Sequence, residues 1–347
     1  MVNKIPHKIT YWAIILVVQF LLFYILSKTD FAVAFFSRLF EWKKNLHILL
    51  FSKFGFSAGD ILYAVISLYS IYALISLIRK KKSKIGVQLL IFINFSFFVY
   101  QCFWGMLYFQ PPMIEKLPKK EISDIQLKNL ALRYLDLCKA TRERTSEDQN
   151  GIFVINDPRA ICTEILLQQK KLPRALSDKS PVEHLSVKPS LYSGLMDYSG
   201  LLGYYNPFTA EAQYNPHLPS TQLPFTLAHE MSHQLGYARE QEASFVAYLC
   251  AKDSDNVELK YCAQLYVLKS LLRNLSENNK AFVKDILSKY SAKMKRDRAN
   301  ELQFFEKHDS FLNTVFGFTN DLFLKSNRQD GSITYSYFIA LLVRYEA

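Results

Sequence analysis

The sequence predicts a mainly α protein, with three N-terminal transmembrane helices followed by an α+β domain that carries a small sheet. Three observations predict it. The first 110 positions hold three long apolar runs without a charged side chain. No later run approaches bilayer length, and helical spacing dominates the rest. Strand-like chemistry is confined to about 186–215. Half of the 347 residues are apolar and 15% are aromatic, which excludes disorder as the main state. Only 21% are charged, low for a freely soluble enzyme.

The apolar runs cover about 10–27, 61–78 and 85–109, the last interrupted only by uncharged polar residues such as Asn94 and Gln101. Each is close to the roughly 20 residues that cross a hydrocarbon core. A charge at mid-bilayer would cost about 3 kcal/mol, and backbone groups there must be satisfied internally, so helices are expected. Residues 1–110 are therefore read as a membrane domain and 111–347 as an extracytoplasmic domain. The short cluster Arg79, Lys80, Lys81, Lys82 and Lys84 is placed in the cytoplasm by the positive-inside bias. Lys4 and Lys8 put the N-terminus there too, and everything after Phe109 then lies outside. The loop from Lys28 to Asp60 conflicts with this, because it carries Lys28, Arg38, Lys43, Lys44 and Lys53. Its basic residues are spread among apolar ones, the pattern of a helix lying on the outer interface. The first run could alternatively be a signal peptide, with Ala32-Val33-Ala34 as cleavage site.

After the rigid exit Gln110-Pro111-Pro112, helices are expected over about 121–143 and from Asp157-Pro158 to about Lys170. That start combines an N-cap with proline in the first turn. Further helices follow over about 222–235, 240–253, 256–274, 277–290, 296–325 and 332–345, with Ser276 and Ser332 as caps. Among the cysteines, Cys250 and Cys262 sit near a helix turn and could pair, but two buried thiols fit equally well. There is no CxxC for a cysteine zinc site.

One motif carries chemistry: His229-Glu230-Met231-Ser232-His233, an HExxH. On a helix, positions i and i+4 share a face, so both imidazoles reach one zinc ion. Glu230, offset by one position, lies beside the metal as general base for an attacking water. Pro224 suits the helix start, Leu227, Met231 and Leu235 form an apolar stripe, and Gly236 is a natural terminator. A catalytic zinc needs a third protein ligand and an open position. Arg239 stands where the HExxHxxGxxH pattern would place a third histidine. A carboxylate from the next helix, Arg239–Tyr248, could complete a His₂Glu site. Glu242 is favoured because the adjacent Ala243 and Ala247 suit a face packed on the first helix. Glu240 is the alternative ligand, or else a partner of Arg239 or of a ligand imidazole. Tyr204, Tyr205, Tyr335, Tyr337 and His308 are candidate oxyanion donors.

HEMSHQLG followed by REQEASFVAY resembles the gluzincin arrangement, an HExxH plus a downstream helix bearing a glutamate. The whole chain is similar to a family of bacterial membrane proteins with three N-terminal spans and an external zincin-like domain. The resemblance rests on Trp104-Gly105, Pro207-Phe208-Thr209, Glu211-Ala212, Asn215, Pro224-Phe225-Thr226, and Asp330-Gly331-Ser332 before Tyr335-Ser336-Tyr337. It implies a zinc peptidase of the bacterial cell membrane acting on peptide or protein outside the cytoplasm, with Gly203–Tyr214 lining the cleft. The alternative is a non-catalytic zinc-binding envelope sensor or scaffold. An intramembrane protease is excluded because the motif lies in no apolar span. Nucleic-acid binding is excluded because the net charge of +11 is spread over topology loops and helix faces. The bilayer is the expected partner.

Overall fold

The computed structural model describes residues 4–79, 83–326 and 337–346. The membrane part contains α1 (Lys4–Leu26), α2 (Asp30–Ser52), α3 (Ala58–Ile78) and α4 (Ser83–Phe103). Three stretches are long and apolar enough to cross a membrane: His7–Leu26, Ala58–Ile78 and Lys84–Phe103. Protein covers little of them. Ile14, Val17, Phe20, Val65, Leu68 and Phe95 are all exposed, which suits a surrounding of lipid. Asn94 ties α4 to α1, donating to the Trp12 carbonyl at 3.1 Å and accepting from Gln19 at 3.1 Å. Of the basic cluster between α3 and α4, Lys80, Lys81 and Lys82 lie outside the described residues.

The Lys28–Asp60 loop is mostly the single helix α2. One face buries Val33, Phe36, Phe40, Lys43, Lys44 and Ile48. The other exposes Phe31, Phe35, Trp42, Leu46 and Leu49. The charge conflict is thus partly resolved: two of the five basic residues turn inward. Lys44 Nζ pairs with Glu41 at 2.8 Å and donates to the Ser180 carbonyl at 2.7 Å. Lys43 Nζ donates to the Pro207 carbonyl at 3.3 Å and lies 4.1 Å from the centre of the Phe103 ring. The third apolar run also divides. Its helix stops at Phe103, and residues 105–109 form a 3-10 turn whose Met106, Leu107 and Tyr108 are buried in protein. At Gly105 a side chain would meet the Gln101 amide group, which would have to move aside.

Beyond the membrane part lie α5 (Asp124–Arg142) and α6 (Pro158–Gln169). Ser123 and Gln126 form a capping box on α5, and the Asp157 side chain caps α6. The strand-like stretch gives β1 (Val187–Pro189), β2 (Gly203–Asn206) and β3 (Glu211–Tyr214), with an unanticipated short helix α7 (Ser193–Ser199) between β1 and β2. The sheet order is β1-β3-β2, with β1 parallel and β2 antiparallel to the central β3. Then come α8 (Leu223–Leu235), α9 (Glu240–Lys252), α10 (Val257–Leu275), α11 (Lys280–Ser288), α12 (Ala292–Lys307), α13 (Phe311–Ser326) and α14 (Tyr337–Glu346).

Several boundaries differ from expectation. The helix expected over 296–325 is two helices, broken at His308–Ser310, where Ser310 Oγ donates to the Tyr198 carbonyl at 2.8 Å. Ser276 ends α10 instead of starting α11, which begins after Asn279. Ser332, the expected start of the last helix, lies outside the described residues. All five cysteines are free, so Cys250 and Cys262 are two buried thiols.

The core of this second part is α10, packed against α5, α8 and α9 through Leu259, Val267, Leu268 and Leu271, all fully buried. Polar bonds lock the two parts together. The Glu211 carboxylate accepts from the Ala58 and Gly59 amides at 3.1 and 2.5 Å and pairs with Lys188 Nζ at 2.6 Å. A carboxylate at the start of α3 meets the positive end of that helix. Asp60 accepts from the Leu191 amide at 2.6 Å and from Ser190 Oγ at 3.1 Å.

Candidate metal centre

α8 forms where the HExxH was read. Pro224 sits in its first turn, and Gly236 closes it with a φ of +109°. A Cβ at Gly236 would meet the Phe40 ring at 2.7 Å, so glycine answers both the left-handed turn and the close approach of α2. Arg239 is extended, and α9 starts at once with Glu240. Its guanidinium donates to the carbonyls of Tyr108 and Gln110, binding the turn to the exit of the third span.

His229 and His233 share a face of α8, with ring centres 4.8 Å apart. Each Nδ1 has a partner. That of His233 is 2.6 Å from the Tyr237 carbonyl, which can only accept, so Nδ1 carries a proton and Nε2 is the ring atom left to ligate a metal. That of His229 is 3.1 Å from Ser244 Oγ, which also accepts from the Tyr266 hydroxyl at 3.2 Å. Both Nε2 atoms turn to one carboxylate, Glu240, at 3.1 Å for His229 and 3.6 Å for His233. Ligand atoms of all three residues lie within 4.8 Å of one another. Around a tetrahedral zinc with bonds near 2.1 Å, neighbouring ligand atoms are about 3.4 Å apart. The donor set and its held Nδ1 atoms fit that ion.

Glu242, the favoured third ligand from sequence, is not brought to this point. Its carboxylate accepts from the Met113 amide at 2.8 Å and from Arg239 at 3.0 Å. It is buried, as its alanine neighbours imply, but against the membrane exit. Glu230 is 4% exposed, and its Oε2 has no hydrogen-bond partner among the described residues. It packs under β2: a Cβ at Gly203 would lie 2.8 Å from Glu230 Cγ and Oε1. Burial lifts the Glu230 carboxyl to about 7, against the pull of the two histidines. Burial opposes charge on His233, but the facing Glu240 outweighs it and raises the imidazole to about 9. Burial would likewise raise Glu240, yet the charge of His233 holds it well below the usual carboxylate range.

β2 has β3 as its one strand neighbour among the described residues. The Asn215 amide donates to the Leu202 carbonyl at 2.9 Å, so Tyr204 and Asn206 bond toward β3 by alternation. The main-chain groups of Gly203 and Tyr205 therefore point to the other edge. The wall beside it is Trp104, whose ring centre is 4.6 Å from that of Tyr205 and 5.9 Å from that of His233. Of the oxyanion candidates, Tyr204 is committed to Asp60 through its hydroxyl. His308 caps its own helix, with Nδ1 2.8 Å from the Phe304 carbonyl. The Tyr205 hydroxyl is buried without a partner. Tyr337 is exposed at the start of α14, and Tyr335 lies outside the described residues. The supporting roles of Ser244 and Tyr237 were not anticipated, because no local motif marks them.

Fold and side chains define a chain with three membrane-length apolar helices and a helical domain in which an HExxH helix faces a glutamate of the next helix. Residues 35–343 match the model of a family described as protein of unknown function (DUF3810), and the chain belongs to that family. No curated protein and no solved structure matches it.

Proposed function

We propose that this protein is a membrane-anchored zinc metallopeptidase of zincin type, hydrolysing peptide bonds outside the cytoplasm of a bacterial cell. The observation that carries the reading is the convergence of His229 Nε2, His233 Nε2 and the Glu240 carboxylate beside the partnerless Glu230 oxygen. Zinc, when bound there, supplies Lewis acidity to water and to the scissile carbonyl. Glu230 accepts the proton of the attacking water and returns it to the leaving amine. The outward main-chain groups of Gly203 and Tyr205 hold an extended peptide as an added strand. Ser244 orients the His229 ring, and the Tyr237 carbonyl holds the Nδ1 proton of His233. The domain leaves the membrane at the end of the third span, away from the basic Arg79–Lys84 cluster, which supports its placement outside.

The test uses the full-length protein in detergent, loaded with zinc, and unstructured casein as substrate. The wild type cleaves and a chelator stops it. Glu230→Gln keeps zinc but loses cleavage. An unimpaired Glu230→Gln variant would overturn the mechanism. A zinc-loaded wild type that cleaves neither casein nor cell-wall-linked peptides would favour the sensor or scaffold reading.

A further inference from the structure

Helix α13 carries an apolar stripe that nothing in the described chain covers. Phe311, Val315, Phe318 and Leu322 recur at i, i+4, i+7 and i+11, one face of a helix. Phe311 is 79% exposed, Phe318 64% and Leu322 51%. Leu312 and Phe316, off the stripe, are also exposed, at 40% and 37%, and the contacts with the protein are made by the Asn313 side chain against Gly200 and by the fully buried Leu324. The stripe therefore points away from the domain and does not fold over any cleft of its own chain. Asn320 and Asp321 lie on the non-apolar arc. No charged side chain lies on the stripe between Phe311 and Leu322, and Lys325, paired with Asp321 at 2.7 Å, closes it one turn on.

The stripe continues onto α7, whose start is fixed at the membrane. Tyr192, just before α7, donates its hydroxyl to the Asp60 carbonyl at 2.7 Å, and the Leu191 amide donates to the Asp60 carboxylate at 2.6 Å. Asp60 is in the first turn of the second span. The seven residues of α7 advance only about 10 Å, and at their far end Tyr198 and Gly200 hold the start of α13. Leu191, Leu195 and Tyr198 are exposed along this path. Exposed apolar side chains thus extend from the mouth of a membrane span along α7 to the start of α13.

We propose that α7 and α13 form an interfacial docking surface for the bilayer, with the Phe311–Leu322 stripe sunk into the headgroup–acyl boundary of the leaflet that α3 enters. A helix of this kind buries its apolar face about 5–10 Å into that boundary. The domain then lies prone on the membrane, held by α2 and by α13. This inference does not depend on a metal or on peptidase activity.

The experiment uses full-length protein reconstituted in phosphatidylcholine–phosphatidylglycerol vesicles, with and without phosphatidylcholine brominated near the top of the acyl chain. Phe318→Trp adds a fluorophore on the stripe. Leu302→Trp adds one on the exposed flank of α12. Emission is read as the difference from the parent protein with its three native tryptophans. The added emission of Phe318→Trp should lose most of its intensity in brominated vesicles and resist aqueous iodide. That of Leu302→Trp should do the reverse. Leu322→Trp, one turn on, should behave as Phe318→Trp does and serves if that variant folds poorly. Stripe tryptophans open to iodide and untouched by bromine would overturn the proposal. So would shielding that appears only as protein concentration rises, which would mark a second copy of the chain as the occupant.

Discussion

Two charge clusters of the helical domain are finished differently. At the first, the Asp297 carboxylate takes four hydrogen bonds. Arg142 Nε and the Tyr261 hydroxyl donate to one oxygen at 2.7 and 2.8 Å. Arg142 Nη2 and the Phe153 amide donate to the other at 3.0 and 2.9 Å. The rest of the Arg142 guanidinium is spent on Thr145, Glu147 and the Gly151 carbonyl. Each charge has its counterion and each lone pair its donor, which is how a buried ion pair persists. At the second cluster two imidazoles face one carboxylate, and Glu230 keeps an oxygen without a hydrogen-bond partner among the described residues. A saturated cluster holds the fold. An unsaturated one, with His229 and Glu240 only partly buried, is set up to receive something.

That contrast can be broken by substitution. Glu230→Gln should cut casein cleavage by about 10²–10⁴-fold while leaving the melting temperature and zinc content near wild type. Asp297→Asn should do the opposite, costing about 3–5 kcal/mol in chemical denaturation and leaving zinc affinity unchanged in the folded fraction. If Asp297→Asn proved silent in stability, the cluster would not be the structural knot described.

The buried Lys43 sharpens the comparison, because it has neither completion. Burial lowers its pKa from 10.5 to about 7. Between those values the unfolded chain holds a proton that the folded chain has released, so this group makes stability climb as pH rises through that window. Lys43→Met should remove that part of the climb, a difference of a few kcal/mol between pH 7 and pH 10.5. Parallel stability curves for the two proteins across the window would contradict it. The smallest effect is expected at Ser244→Ala, which frees the His229 ring and should weaken zinc binding about 10–100-fold by competition with a chelating dye. Unchanged affinity would remove Ser244 from its orienting role.

The spans, the α8 helix and its Gly236 stop were legible in the sequence because each is written locally, as a run, a period or a motif. The choice between Glu240 and Glu242 was not. It depends on how α9 leaves the turn. Extended Arg239 makes Glu240 the first helical residue and points it back at α8, and two positions along a helix lie roughly 200° apart. Glu242 therefore faces Met113 and Arg239 across the membrane exit. The division of the third apolar run was hidden for a similar reason. Residues 105–109 are as apolar as a span, yet protein rather than lipid covers them. The break between α12 and α13 is set by a tertiary bond from Ser310 to Tyr198, which periodicity cannot register.

Zinc stoichiometry of the purified full-length protein tests the central claim most directly, measured after equilibration with a zinc buffer. One ion per chain should remain in the wild type, in Glu230→Gln and in Glu242→Gln, and be lost in His229→Ala and Glu240→Gln. Zinc retained without His229, or lost with Glu242 but not with Glu240, would contradict the site as described.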